Sequence, residues 1–516
     1  MKRNLLFMVA CFVCALAFGQ GEIDAHRYSN NDLSGTARGQ AMGGAFGALG
    51  GDVTGVAINP AGIGVYRSSE VVANMTLTSP LTSGNTNQQS NTSFHFDNLS
   101  YVGYYPLING SMLSLNFGFN YNRVKSFDQN YSTSRPTMNS SLTDYMALLT
   151  NGIGPSTWDG DYYNNPNVPW LSALAWDGYL LKEPDKNNIY ESILDPGARV
   201  SPSLKVSERG KVENYDFTIG SNIANKFFWG ATFSIVDLSY SMTSSYDESF
   251  LGVSGRGMTL NNSLDTRGSG YQMKVGVIFK PSDALRIGAA YHSPVWYSMT
   301  DYYWAGLTPR GINMGDGNLA GFTSTPDNAA TNYQFRTPGS WTFSAAAVLG
   351  TQAVVSLDYE MKNYASMNLK DNSGNDWTYE NGIINEDFKN TSTVRAGLEI
   401  RFTPQFSGRL GYAWMQNPYS TDIQSLGKIV VPAGTIPNYT LTGDVNYMTA
   451  GLGFRFTPQF YGDFALVLRT QKDNVYYFPS GVPTENGLSK IENWDGFENP
   501  VTNKWLKGLI TFGYRF

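Results

Sequence analysis

The chain has 516 residues, of which 15% are charged, 14% aromatic and 54 glycine, with a formal net charge of −6. A soluble domain averages about 25% charged residues and about 7% glycine, so this composition excludes the lysine- and glutamate-rich soluble helical folds. The acidic balance argues against a nucleic-acid partner, and the 32 Tyr, 29 Phe and 11 Trp argue against disorder.

Residues 1–19 read as a secretory signal. Lys2 and Arg3 precede an apolar run from Leu5 to Phe18, too short to span a membrane, and Ala17-Phe18-Gly19 supplies small residues for cleavage before Gln20. The competing reading, a lipoprotein box at Met8-Val9-Ala10-Cys11, leaves a very short apolar run. Both cysteines, Cys11 and Cys14, fall inside this segment, which leaves the mature chain without a thiol, disulfide or cysteine metal site. No later stretch is long and apolar enough for a transmembrane helix.

Residues 20–67 lack regular alternation and are rich in small residues. Gly35 to Gly47 contains Gly43-Gly44-Ala45-Phe46-Gly47, and Asp52 to Gly62 contains Asn59-Pro60-Ala61. The glycines lack the strand, βαβ unit and Lys-Ser/Thr of a phosphate-binding loop. Asn59-Pro60-Ala61 lacks the second copy and the spanning helices of a water channel. Pro60 fixes φ, and Asn59 can bond its own backbone in a turn.

From residue 68 the pattern is strict alternation, the mark of half-buried strands. Leu113, Leu115, Phe117, Phe119 and Tyr121 alternate with Ser114, Asn116, Gly118 and Asn120. Val394, Ala396, Leu398, Ile400 and Phe402 oppose Arg395, Gly397, Glu399 and Arg401. Fourteen strands are expected, at 68–80, 94–108, 111–126, 213–223, 227–245, 268–280, 284–299, 336–349, 352–368, 390–402, 405–417, 444–456, 459–474 and 502–516. Such strands exceed the soluble norm of about 5–6 residues. Short turns alternate with long polar loops, the largest at 127–212, as periplasmic turns and extracellular loops do. The fold expected is all-β: a 14-stranded antiparallel transmembrane barrel over 68–516, with both termini periplasmic. Residues 20–67 are the right size for a small N-terminal hatch in its lumen. The last strand alternates to Phe512, Tyr514 and Phe516, and its terminal aromatic resembles the signal read by the barrel assembly machinery. Arg401-Phe402-Thr403-Pro404-Gln405-Phe406 recurs as Arg455-Phe456-Thr457-Pro458-Gln459-Phe460, read as a shared turn.

The Gly/Ala-rich segment 35–51, Asp52, Asn59-Pro60-Ala61, and Leu285-Arg286-Ile287-Gly288-Ala289-Ala290-Tyr291 followed by Ser293-Pro294 resemble the FadL/TodX family of outer-membrane transporters for long-chain fatty acids and other hydrophobic compounds. The resemblance implies a Gram-negative outer membrane and passive, hatch-gated diffusion of a hydrophobic small molecule. It implies no enzyme activity and no cofactor. It also implies release by hatch movement or through a kinked early wall strand, whose positional counterpart is 111–126. Gly43, Gly44, Asn59, Pro60 and Ala61 are the hatch and gating candidates. Phe46, Arg286, Arg395, Trp170 and Trp176 are the ligand-binding candidates. An arginine facing the lumen could hold a carboxylate by a bidentate contact. Trp170 and Trp176 sit in an apolar loop segment suited to a greasy entrance. Two alternatives remain open. A haemin receptor would draw its axial ligand from His26 or His292. A structural or adhesive barrel would have a packed polar lumen. No catalytic constellation or metal site stands out. Partners are the ligand, outer-membrane lipids and, during biogenesis, the assembly machinery, with no nucleic acid.

Overall fold

The structure, a computed structural model, describes residues 21–81, 92–108, 110–252, 254–327, 329–420, 430, 434–484, 487–492, 494–495 and 499–516. The expected signal segment lies outside these residues, as does most of the polar loop expected at 81–93.

Fourteen antiparallel wall strands close into a barrel. They are β1 (Glu70–Leu81), β2 (Ser93–Pro106), β3 (Met112–Ser126, continued by Gln129–Ser134), β4 (Val200–Ile223), β5 (Phe227–Phe250), β6 (Gly257–Phe279) and β7 (Leu285–His292, continued by Trp296–Arg310). Then follow β8 (Ala329–Arg336 and Ser340–Leu349), β9 (Ala353–Asn363 and Asn368–Asp371), β10 (Asn390–Arg401), β11 (Phe406–Met415), β12 (Tyr439–Arg455), β13 (Phe460–Tyr476) and β14 (Asn499–Arg515). Each pairs with its chain neighbours, and β1 closes the ring on β14 from Glu70↔Arg515 to Leu81↔Lys504. Ser69 and Phe516 exchange two backbone hydrogen bonds of 3.0 Å, fixing the end of the chain to the start of the wall.

Strands β4, β5 and β6 extend further than alternation in one phase predicts. On β5 the outward residues run Phe227, Trp229, Ala231, Phe233, Ile235, about the strand length a bilayer requires. Beyond that the outward residues are Asp237, Ser239, Ser241 and Thr243, while Leu238, Tyr240, Met242 and Tyr246 turn inward and are buried. The same inversion occurs at the same height on β4, where Glu213 pairs with Asp237, and on β6, where Ser269 does. The physical reason is a change of surroundings. Within the membrane the outside is lipid; above it the outside is water and the inside is a packed cap. The loop expected at 127–212 therefore shrinks to 135–199, because 129–134 and 200–212 are wall.

The cap is a large apolar cluster formed by inward residues of the raised wall and by loop helices α4 (Leu142–Thr150), α5 (Trp170–Asp177) and α6 (Thr378–Asp387). The N-terminal segment lies inside the barrel. It carries α1 (Glu22–Ser29), which contributes Ala25 and Tyr28 to the cap cluster, then α2 (Ala37–Ala41), α3 (Val53–Ile58) and a 3₁₀ turn (Pro60–Val65) deeper in the lumen.

Candidate functional site

Below α1, which starts at Gly21 without a side-chain cap, the hatch is built from short helices, each started by its own polar cap. Thr36 Oγ1 accepts from Gly39 N at 3.0 Å, Asp52 from Thr54 N at 2.9 Å, and Asn59 Oδ1 from Ala61 N at 3.1 Å. Pro60 opens the 3₁₀ turn, where its missing N–H costs nothing. Asn59 also donates to Gly47 O at 2.7 Å and to Val277 O on β6 at 3.1 Å. Asn59-Pro60-Ala61 is thus both a cap and a joint between hatch and wall.

The wall holds the hatch around most of its circumference. Asn116 on β3 donates to Ile63 O at 2.6 Å, and the imidazole of His292 on β7 meets Ile58 O at 2.8 Å. The Arg286 guanidinium donates to Leu49 O. Asp358 on β9 accepts from Phe46 N and Gly47 N, each at 3.0 Å. Arg38 makes a bidentate pair with Glu399 on β10, at 2.8 and 3.1 Å. Thr449 on β12 accepts from Gly43 N and donates to Ala41 O, and Thr511 on β14 accepts from Ala37 N.

Between these bonds the wall presents bare backbone. A Cβ at Gly230 would lie 2.2 Å from Pro60 O, one at Gly276 1.9 Å from Asn59 Oδ1, and one at Gly411 2.1 Å from Gly43 N. Gly288, Gly397 and Gly451 meet Gly47 O, Met42 O and Ala41 Cβ in the same way. These lumen-facing glycines let the hatch approach to backbone distance, and any side chain there would hold it off. Gly43 (φ +64°) and Gly44 (φ +74°) form the left-handed turn that presses against Tyr412 and Leu33. Phe46 is fully buried among Met42, Ala48 and Leu49 beneath the Arg38 guanidinium, so it is part of the hatch's own packing.

Above the hatch lies a lumen cavity of about 170 Å³. Leu33, Ala57 and Ile58 floor it and α1 roofs it through His26, Tyr28 and Ser29. Its wall mixes apolar residues, among them Val124, Val236, Val295, Ala413 and Met415, with charged ones. The charges are mostly neutralised in place: Lys274 pairs with Asp216 at 3.1 Å, and Arg395 with Glu360 at 2.5 Å. Of the five residues expected to bind ligand, Arg395 alone lines this cavity, with Nη1 left without a hydrogen-bond partner. His26 is enclosed by the rings of Tyr364, Phe388 and Tyr419, at 5.3, 5.9 and 5.6 Å. Among the described residues no group of three His, Cys, Asp or Glu side chains converges as a metal site.

The wall beside the cavity is interrupted. Three adjacent strands break at one height: β7 at 293–295, β8 at 337–339 and β9 at 364–367. Pro294 and Pro338 remove ladder donors there. Side chains replace part of the ladder: Val295 N donates to Thr337 Oγ1 at 2.9 Å and Met273 N to Ser293 Oγ at 3.0 Å. Val295, Thr337, Pro338 and Tyr364 line the cavity on the inner side. On the outer side Tyr271, Trp296 and Trp341 mark the upper edge of the apolar band. By contrast β3, the counterpart of the expected early kink, pairs with β4 along its length with two register shifts, at Met112/Ser114 and Arg123/Lys125. Alternation could not show this seam, because each break occupies only three or four residues. Ser293-Pro294 and Thr337-Pro338-Gly339 were its only local signals.

Trp170 and Trp176 are in the cap. Trp176 stacks on Trp158 at 5.1 Å and 12°, and Trp170 donates to Tyr163 O at 2.8 Å and packs on Tyr303 at 5.2 Å. Asp177 accepts from the hydroxyls of Tyr162 and Tyr163, at 2.5 and 2.9 Å. Burial, with the Asp177 carboxylate beside them, pushes both phenols above their ordinary range. Trp176 is half-buried, and Trp176→Ala should cost the cap about 1–3 kcal/mol. Limited proteolysis should then cut within 135–199 while the barrel keeps its heat-modifiable mobility; an uncut cap would contradict this.

A family profile described as "Outer membrane protein transport protein (OMPP1/FadL/TodX)" matches residues 216–480. The fold is similar to the crystal structure of a Pseudomonas aeruginosa FadL homologue, with a TM-score of 0.53 at 13% identity over 94% of this chain and 99% of that one. It is also similar to the CymD monoaromatic hydrocarbon channel, with a TM-score of 0.50 at 12% identity over 93% and 97% of the two chains. The toluene transporter TodX of Pseudomonas putida aligns at a TM-score of 0.47 and 13% identity over 94% and 99%. A search of curated proteins finds no match.

Proposed function

This chain belongs to the OMPP1/FadL/TodX family of outer-membrane transport proteins, and from that premise we propose that it passes its hydrophobic ligand by passive diffusion around a fixed hatch. The protein is an outer-membrane barrel that transports hydrophobic small molecules. In the proposed path the ligand enters past the cap, rests in the lumen cavity and leaves sideways through the seam in β7–β9. The hatch gates by blocking the direct route to the periplasm. The driving force is burial of apolar surface, about 0.8 kcal/mol per methylene. The protein acts as a channel, without bond-making chemistry. Its partners in this reading are the ligand, outer-membrane lipids and, during biogenesis, the assembly machinery.

The observation that carries this reading is the seating of the hatch. Its backbone lies directly on wall glycines and is bonded to seven strands, so displacing it means breaking many buried contacts at once. The seam, by contrast, is held partly by side chains and already borders the cavity. The lumen is neither a fully packed scaffold nor an open pore, which favours a transporter over an adhesive barrel.

Deleting residues 20–60 tests the role of the hatch. Wild-type protein in planar bilayers should be nearly silent, and the deletion should conduct as an open porin does. Heat-modifiable mobility would confirm that the deleted form is a barrel. An unchanged conductance from a folded deletion would rule out the hatch as the barrier.

A further inference from the structure

The Arg-Phe-Thr-Pro-Gln-Phe repeat closes two wall strands at the periplasmic end, away from the lumen cavity. Arg401 and Arg455 end β10 and β12, and Arg515-Phe516 ends β14 with the same pair of residues. In each copy the arginine backbone N–H is held by a glutamine carbonyl of the preceding turn: Gln352, Gln405 and Gln459, at 2.7, 2.8 and 2.9 Å. The phenylalanines, Phe402, Phe456 and Phe516, point outward and are exposed to the membrane edge. The arginines point inward, to a cavity of about 260 Å³ at the periplasmic mouth, beneath the hatch.

Five arginines and three carboxylates line this mouth: Arg38, Arg401, Arg409, Arg455 and Arg515 against Asp52, Glu399 and Asp463. The carboxylates are already engaged. Glu399 is held by Arg38 and Arg409, Asp463 by Arg409 at 2.5 Å, and Asp52 accepts from Thr36 Oγ1 and Thr54 N. Arg515 is spent on Glu70 at 2.6 Å. Among the described residues neither Arg401 nor Arg455 has an ion-pair partner. Their strands flank β11, and the register sets Arg401 level with Gly453, two residues short of Arg455, so their backbones lie roughly 12 Å apart. Two extended guanidiniums can close that distance on one ligand. Gly453 keeps the space open: a Cβ there would lie 2.5 Å from both Arg409 Nη2 and Asp463 Oδ1.

We propose that this mouth is an oxyanion site, in which Arg401 and Arg455 hold the carboxylate or phosphate head of an amphiphile on the periplasmic side of the hatch. A planar guanidinium matches either head with two parallel hydrogen bonds, and its weak hydration favours the contact. The site is separate from the lumen cavity and does not depend on the route proposed for the transported ligand.

Calorimetry on the full barrel in nanodiscs, titrated with octanoate, octan-1-ol and inorganic phosphate, tests the proposal. Arg401→Gln with Arg455→Gln should weaken octanoate binding about tenfold or more and leave octan-1-ol unchanged. The paired lysine variant should retain part of the anion affinity, since it keeps the charge and loses the fork. Phosphate binding lost in the same glutamine variant would support a free oxyanion as sufficient. Octanoate binding without phosphate binding would support a head delivered on a chain. Equal anion affinity in wild type and glutamine variant would overturn the proposal, as would no anion binding by wild type or an equal loss of octan-1-ol. Uptake of a neutral hydrocarbon by the glutamine variant should remain at the wild-type rate, which separates this site from the transport path.

Discussion

Gly411→Val is expected to unseat the hatch. The added Cβ would lie 2.1 Å from Gly43 N and 2.3 Å from Met42 C. Both are backbone atoms, so no rotamer change relieves the clash. The turn at Gly43-Gly44 would have to lift away, breaking the Gly43–Thr449 bond and loosening Arg38 from Glu399. Overpacking a core commonly costs about 1–3 kcal/mol, and the lost buried hydrogen bonds add about 1–3 kcal/mol each. The measurable outcome is porin-like conductance, with tryptic cleavage in the hatch, from a barrel that still shows heat-modifiable mobility. Gly508→Ala is the control, because its nearest neighbour is Leu466 Cδ2 at 4.0 Å. A silent, protease-resistant Gly411→Val protein would mean that the hatch tolerates displacement and is not the fixed stopper proposed above.

Locking the seam is expected to stop uptake without opening a pore. Val295 and Thr337 face each other across it, joined by Val295 N to Thr337 Oγ1 at 2.9 Å and Thr337 N to Val295 O at 3.1 Å. Facing residues on neighbouring strands lie close enough for a disulfide. The chain's two cysteines, Cys11 and Cys14, fall in the segment read as a secretory signal, so Val295→Cys with Thr337→Cys introduces the only cysteines among residues 68–516. Oxidation should reduce hydrophobic-probe uptake by about tenfold or more, the effect of closing a required route, and reductant should restore it. Conductance should stay low in both states, because the hatch is untouched. If oxidised and reduced proteins transport equally, the ligand does not leave between β7 and β8.

Much of the hatch's seating was readable as composition before it was readable as structure. The excess glycine divides between the hatch and the inward face of the wall. Gly276, Gly397 and Gly451 each occupy a lumen position in an otherwise clean alternation. Alternation says which face a residue takes, but not what stands opposite it. The partners of these glycines, Asn59, Met42 and Ala41, come from more than two hundred residues away in sequence. The same limit explains the candidate ligand residues. Alternation alone puts Arg286 and Arg395 alike on the lumen face. Only the packed lumen distinguishes Arg286, spent on Leu49 O, from Arg395 at the cavity wall. Trp170 and Trp176 stand out in the sequence as part of an apolar loop segment, and only the cap reveals that their rings pack on Trp158, Tyr163 and Tyr303.

By itself the sequence determined the fourteen strands, the short periplasmic turns, the hatch segment and the outer-membrane setting. These follow from local rules: period-two alternation against lipid, turn chemistry, and a small-residue stretch that breaks the alternation. The tertiary structure decided the height of the wall, the seam and the periplasmic arginine mouth. Where β5 leaves the membrane its apolar face swaps from outside to inside, because water replaces lipid on one side and the cap replaces the lumen on the other. The seam exists because breaks in three separate strands fall at one height, and height in a barrel is set by pairing register. The arginine mouth has the same origin. A repeat that looks like a shared turn becomes a charged site once register places Arg401 and Arg455 on either side of β11, with the nearby carboxylates already taken.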